Sequence, residues 1–283
     1  MNLYIVFVNQ LIIELRTSGY VAQIGNFNVG CPAHADDLCI LSLYKTGLNR
    51  LLDISLKYSL DWRYDFNCDK TIIMIWGVDR EPNVDIVMNN EVLLPHTSCK
   101  HMGVTLCNNK QEKNTACEKR IGKARASLLA ARGLGSYNVP VPPTVLSKIY
   151  WSVSIPKMVY GLDITDYGQS NIIQLDNAHR MNSKIVQGIP SNIATPAPLA
   201  TLGWMSLTSY IDLIRIMFMI RTLCLPKENT YRTIMESRIF TISSETCTEK
   251  NKSPISIMYE SAKKYGLDQS IIRNLKKIIQ WKT

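Results

Sequence analysis

Val29-Gly30-Cys31-Pro32-Ala33-His34-Ala35-Asp36-Asp37-Leu38-Cys39-Ile40-Leu41-Ser42 is the stretch that decides how this chain is read. Upstream of the two acids, Phe27, Val29 and Cys31 alternate with smaller or polar residues. Downstream, Leu38, Cys39, Ile40, Leu41 and Leu43 form an apolar run with the character of a buried strand. Two strand patterns separated by a short polar step predict a hairpin with Asp36 and Asp37 at its connection. Adjacent carboxylates held at a turn offer hard oxygen ligands of the kind Mg²⁺ takes, and paired Mg²⁺ ions flank an in-line phosphoryl displacement. Taken alone, the dipeptide is read more simply as a polar turn in which Asp is the turn former.

The residues that follow widen the comparison. An amphipathic stretch ends in Tyr58-Ser59-Leu60-Asp61-Trp62-Arg63-Tyr64-Asp65-Phe66-Asn67-Cys68-Asp69-Lys70-Thr71, and Ile72-Ile73-Met74-Ile75-Trp76-Gly77 comes next. Together with the Asp pair this order resembles the palm of reverse transcriptases of non-LTR (LINE-type) retrotransposons. In that family an aromatic-Ala-Asp-Asp turn precedes a helix, a Trp-containing link, an Asn-x-x-Lys-Thr strand entry and a Gly. His34 stands where the family has Phe or Tyr, which keeps a planar ring but makes it polar. His101-Met102-Gly103-Val104 resembles the hairpin that grips the primer end in these enzymes. Ile155-Pro156-Lys157-Met158-Val159-Tyr160-Gly161 resembles a thumb segment, and Leu202-Gly203-Trp204 the helical region beyond it.

The resemblance implies roles for particular residues. Asp36 would be the first metal ligand and Asp37 the second, both carrying catalytic Mg²⁺. Lys70 would neutralise, or give a proton to, the departing pyrophosphate. Met102 and Gly103 would lie against the primer backbone, and Lys119, Arg120, Lys123, Arg125 and Arg132 would track duplex phosphates from the first thumb helix. The implied partners are an RNA template, a DNA primer and nucleotides. Each of these residues has a plainer reading as well: a strand-end lysine, a hairpin glycine, a solvated helix face. The family also uses a third Asp on an earlier strand and a Gly-Gln-x-x-x-Ser-Pro segment, which residues 1–283 do not contain. The expectation is therefore that this chain alone does not polymerise, since phosphoryl transfer depends on positioning and charge neutralisation.

Composition is consistent with a nucleic-acid partner. The formal net charge is +9, and it is unevenly spread: residues 1–120 hold 12 Lys and Arg against 13 Asp and Glu, whereas residues 121–283 hold 20 against 10. A basic surface attracts phosphate backbones without reading sequence. That leaves open a non-catalytic RNA or RNA/DNA-binding protein, or a structural helical interaction protein. Eight cysteines without Cys-x-x-Cys spacing read as reduced core residues of a nuclear or cytoplasmic protein. His96, Cys99, His101 and Cys107 match no zinc-ligand spacing. The apolar stretches 1–15 and 210–225 are interrupted by polar and charged residues and read as buried helices, so neither a signal peptide nor a membrane span is expected.

Strand patterns cluster before residue 110 and helical ones after it, the α+β arrangement. Residues 46–61 are expected to form a helix with Leu48, Leu51, Leu52, Leu56 and Leu60 inward, residues 71–76 a strand, and residues 84–94 a hairpin turning at Asn89-Asn90. Helices follow at 112–132 with a C-cap at Gly133, 143–162 broken at Pro156, 170–187 stopped by Gly188, 206–225, 227–240, 254–265 and 268–281. A loop is expected at 243–253. By the same resemblance, residues 1–109 would be a partial reverse-transcriptase palm, 110–190 a thumb-like helical domain and 191–283 a helical extension.

Overall fold

The computed structural model describes residues 2–35, 37–135, 140–194, 196–244 and 253–271. The chain is α+β and mainly helical, with four two-stranded pairs among the described residues. It divides into two compact units, Met1–Cys99 and Lys100–Thr283.

In the first unit, α1 (Asn2–Thr17) packs on α2 (Lys45–Asp61). Val8, Leu11 and Leu15 recur at helical spacing on α1 and are buried with Val21, Cys31, Leu51 and Tyr58. The Tyr58 hydroxyl donates to the Phe7 carbonyl at 2.6 Å, which satisfies the one polar atom this aromatic brings inside. Phe7 in turn meets Trp62 and Tyr64 edge to face. The opposite edge of α2 carries Leu52 into a smaller core with Ile73, Ile86 and Met88. Leu51 and Leu52 are thus inward as expected, but Leu60 is 75% exposed at the end of the helix.

Strands β1 (Gln23–Ile24), β2 (Phe27–Asn28), β3 (Ala33–His34) and β4 (Asp37–Leu38) form two short antiparallel pairs. Further backbone bonds knit them: Val29 N–H to Ala22 O, Leu41 N–H to Gly30 O and Ala22 N–H to Leu41 O. The apolar run after Asp37 is only half a strand. Leu41 and Leu43 are exposed, because a continuous apolar strand needs a covering layer on both faces and the described residues supply one. The strand expected at 71–76 is reduced to a single parallel bridge, Ile73 to Pro95, with His96 N–H bonded to Ile73 O. Pro95 has no N–H to donate, so the ladder stops there. The hairpin of β5 (Val87–Met88) and β6 (Glu91–Val92) turns at Asn89 and Asn90, both with positive φ, as the sequence predicts.

No side chain at the Tyr44 N-cap position serves the start of α2. Glu81 takes that role from 35 residues away, accepting from Thr46 N–H at 3.1 Å and Thr46 Oγ1 at 2.9 Å. Beside it Lys45 pairs with Asp79 at 2.8 Å.

The second unit begins with β7 (Ser98–His101), inside which the division falls, and β8 (Val104–Cys107). Helix α3 (Lys110–Arg132) is capped by Asn109, whose side chain accepts from Glu112 N–H at 2.8 Å. It ends at Gly133 in the right-handed region, φ −72°, so this glycine is not used as a left-handed cap. Helix α4 (Pro143–Ile149) widens into a π-helical turn at Tyr150–Ser154 before α5 (Ile155–Val159). The wide turn, with Ile155 N–H bonded to Tyr150 O, precedes Pro156, whose missing donor would break a regular ladder. Helix α6 (Gln169–Gln187) stops at left-handed Gly188 as expected, and α7 (Pro196–Leu202) and α8 (Leu207–Leu223) follow.

One core runs from Ala116 to Ile211, crossing residue 190 without interruption. At its centre Tyr150 stacks on Trp204 at 4.7 Å, and its hydroxyl lies 3.0 Å from His179 Nδ1. His179 Nε2 lies 3.1 Å from the Met205 carbonyl, so Nε2 carries the proton and Nδ1 accepts from Tyr150. A second core joins Ile216 and Met219 to α9 (Thr230–Ser244) and α10 (Pro254–Lys264). There Asp212 is held by Ser261, Lys264 and Tyr265. The loop expected at 243–253 and the helix at 268–281 lie largely outside the described residues.

Candidate nucleic-acid interface

The hairpin that opened the reading is present with a shifted turn. His34 pairs with Asp37 and Ala33 with Leu38, so Asp37 belongs to the ladder and not to the connection. Ala35 takes φ +52°, which costs an L-residue about 1–2 kcal/mol. Asp37 therefore stands on β4, exposed, opposite the exposed ring of His34. Asp36 lies outside the described residues. Among the described residues no three His, Cys, Asp or Glu side chains converge as a metal site, His96, Cys99, His101 and Cys107 included. Asp37 offers one carboxylate, short of the oxygen set that Mg²⁺ requires. An open groove of about 610 Å³ in this unit, lined by Asn49, Arg50, Asp53, Asp65 and Asn89 among others, does not include Asp37.

Lys70 ends a 3₁₀ turn, Cys68–Lys70, and is exposed. The Asn-x-x-Lys-Thr spacing has a local cause here. Asn67 Oδ1 accepts from Lys70 N–H at 3.1 Å, and Asn67 O accepts from Thr71 N–H at 3.1 Å and from Thr71 Oγ1 at 2.9 Å. This Asx-type cap fixes the chain before residue 72 and leaves the Lys70 ammonium to solvent.

In the second unit, Met102 (φ +50°) and Gly103 (φ +79°) form the two-residue turn between β7 and β8. Both are exposed. The Tyr160 hydroxyl donates to the Met102 carbonyl at 3.0 Å. A Cβ at Gly103 would lie 3.2 Å from the Tyr160 ring, and one at Gly161 would lie 2.8 Å from a Val104 methyl. Two segments singled out separately in the sequence thus meet through contacts that only glycine permits. Tyr160 itself is 56% exposed, in contrast to Trp204, which is buried, and to Trp151 and Tyr210, which pack half-buried on the core.

Arg120 departs from the phosphate-tracking role. It belongs to the buried stripe Ala116, Cys117, Arg120, Ala124, Leu128, and its guanidinium donates to Tyr160 O at 2.6 Å, Met158 O at 3.3 Å and Tyr167 Oη at 3.2 Å while lying over the Tyr167 ring. A side chain consumed in this way cannot reach a phosphate. Lys119, Lys123, Arg125 and Arg132 remain exposed. The four-residue spacing puts the lysines on one edge of the buried stripe, and the seven-residue spacing puts the arginines on the other. Helical periodicity applied to α3 would have placed Arg120 inside; nothing local in sequence points to Tyr160 as its partner.

None of the described cysteines is paired in a disulfide. Burial pushes the thiols of Cys31 and Cys117 up to about 11. No helix among the described residues is long and apolar enough to cross a membrane. Comparison with protein-family models, with curated proteins and with solved structures finds no match.

Proposed function

We propose that the chain carries palm and thumb elements of a reverse transcriptase of the non-LTR retrotransposon type and works on an RNA template paired with a DNA primer. The observation that carries this reading is the meeting of the Met102-Gly103 turn with Tyr160-Gly161, since both segments belong to the sequence resemblance although 58 residues separate them. The His34-Asp37 hairpin, α2 and the Asn67-capped turn follow in the order the resemblance requires. Asp36 and Asp37 would hold Mg²⁺, which when bound supplies positive charge against phosphate oxygens. Lys70 would place a mobile cation near the same phosphates. Residues 1–283 hold no third carboxylate of the family pattern, so their own contribution is engagement of nucleic acid in a nuclear or cytoplasmic setting.

Iron-directed cleavage tests the metal assignment without requiring turnover. Fe²⁺ with ascorbate and peroxide should cut the chain around residues 34–38, with Mg²⁺ competing and Asp36→Asn or Asp37→Asn abolishing the cut. Absence of cleavage in that region would remove the two acids from the reading.

A second reading, non-catalytic binding of RNA or RNA/DNA hybrid, is favoured by the concentration of basic residues after residue 120. It differs in predicting hybrid binding that is indifferent to both Asp substitutions and to Mg²⁺.

A further inference from the structure

Met102 is a non-glycine residue in the left-handed region at the exposed tip of a hairpin. The hairpin turns that need positive φ at both central positions favour Asn, Asp or Gly at the first, so Met here works against local preference. Such outliers persist where surrounding structure over-determines them. The surrounding structure is a relay of hydrogen bonds. The buried Arg120 guanidinium grips the carbonyls of Met158 and Tyr160 at the bend that ends α5, and the Tyr160 hydroxyl grips the Met102 carbonyl 58 residues away. Tyr167 orients the guanidinium from the other side, through its hydroxyl and its ring face.

The relay is charged and unbalanced. Arg120 has only neutral acceptors, and among the described residues no carboxylate lies within ion-pair distance of it. The carbonyls it engages point inward, so the tip presents the Tyr160 ring, the Met102 side chain and the Gly103 backbone to whatever approaches.

We propose that Arg120 and Tyr160 are positioning residues for a nucleic-acid-backbone contact at the Met102-Gly103 turn: the guanidinium sets the Tyr160-Gly161 bend, and the tyrosine hydroxyl locks the turn in one conformation. This rests on the nucleic-acid reading above. Pre-ordering the tip removes the conformational cost of ordering it against a phosphate backbone, so the effect is on affinity and not on the number of phosphates neutralised.

The test compares the full chain with Tyr160→Phe, which keeps the ring and removes the hydroxyl, and with Arg120→Lys, which keeps charge but loses the planar fork. The probe is a fluorescein-labelled RNA/DNA hybrid of about 16 base pairs, titrated across a KCl series, with amide hydrogen exchange at Gly103 and Val104 measured in parallel. In Tyr160→Phe, exchange at these amides should rise and hybrid affinity fall about fivefold, the worth of one hydrogen bond, while the slope of log K against log salt stays at the wild-type value. Arg120→Lys should reproduce both changes. A general loss of fold would instead raise exchange throughout α3 and α6. Equal hybrid affinity in wild type and Tyr160→Phe would overturn the positioning role alone. No salt-sensitive binding by the wild type would overturn the nucleic-acid reading and this role with it.

Discussion

Tyr160 donates its hydroxyl to the main-chain carbonyl of Met102 at 3.0 Å, holding the exposed tip of one hairpin to the end of a helix 58 residues later. The bond gives the second unit an organised surface feature whose support, Arg120, is buried. Substitutions along this line should separate into those that loosen the fold and those that change only the surface.

Arg120→Ala belongs to the first group. It strips donors from two carbonyls and the Tyr167 hydroxyl and opens a cavity beside Met158, and should lower stability by roughly 2–4 kcal/mol. Lys119→Ala, on the solvated edge of the same helix, should change it by less than about 0.5 kcal/mol. Urea unfolding of the two variants measures the contrast; similar losses would mean that Arg120 is not inside.

His179 ties stability to pH. Burial is the largest influence and lowers its pKa below the ordinary histidine value, against the opposing hydrogen bond to Met205. A group whose folded pKa is depressed contributes stability that is complete above the unfolded value, about 6.5, and is lost as pH falls through the folded value. Stability should therefore decline on acidification below about pH 6.5, and His179→Gln should flatten that part of the profile. Chemical denaturation at half-unit pH steps reads it directly.

The start of α2 should fray in acid. The bonds from Thr46 hold the Glu81 carboxyl below its usual range, and Lys45 does the same for Asp79. Protonation removes the charge and turns one of the two accepting oxygens of Glu81 into a donor, so the first-turn amides of α2 should gain exchange as pH drops below the normal carboxylate range. Glu81→Gln should show the same opening already at neutral pH.

Thiol reactivity should follow burial. With Cys31 and Cys117 raised to about 11, little thiolate forms at pH 8, whereas Cys224 is exposed. Mass spectrometry of iodoacetamide-treated protein should find Cys224 alkylated well before Cys31 or Cys117; the reverse order would contradict the packing of both cores.

Much of the fold is legible in the sequence because its signals are local. The Leu51-Leu52 stripe, the Asn89-Asn90 turn and the Gly188 stop each declare themselves within a few residues. What fails to show is set by distant partners. The apolar runs at 38–43 and 71–76 look like strands, yet strand formation depends on a neighbouring chain, and Pro95 is the neighbour that residue 73 receives. Glu81, which serves the start of α2, lies 35 residues from its partner Thr46. At the candidate site the residue types were legible and their geometry was not. A one-residue change in where the hairpin turns moves Asp37 from the connection onto a strand opposite His34. Arg120 counts as a basic residue in any charge tally, although its guanidinium is used up inside.

Nucleic-acid binding by residues 1–283 is the property on which the proposed roles depend. Equilibrium binding of an RNA/DNA hybrid between about 50 and 200 mM KCl should show log K falling steeply and linearly with log salt. Replacing Lys119 and Lys123 together by Gln should reduce that slope by about 2. A flat salt response, or no binding at the lowest salt, would contradict the claim.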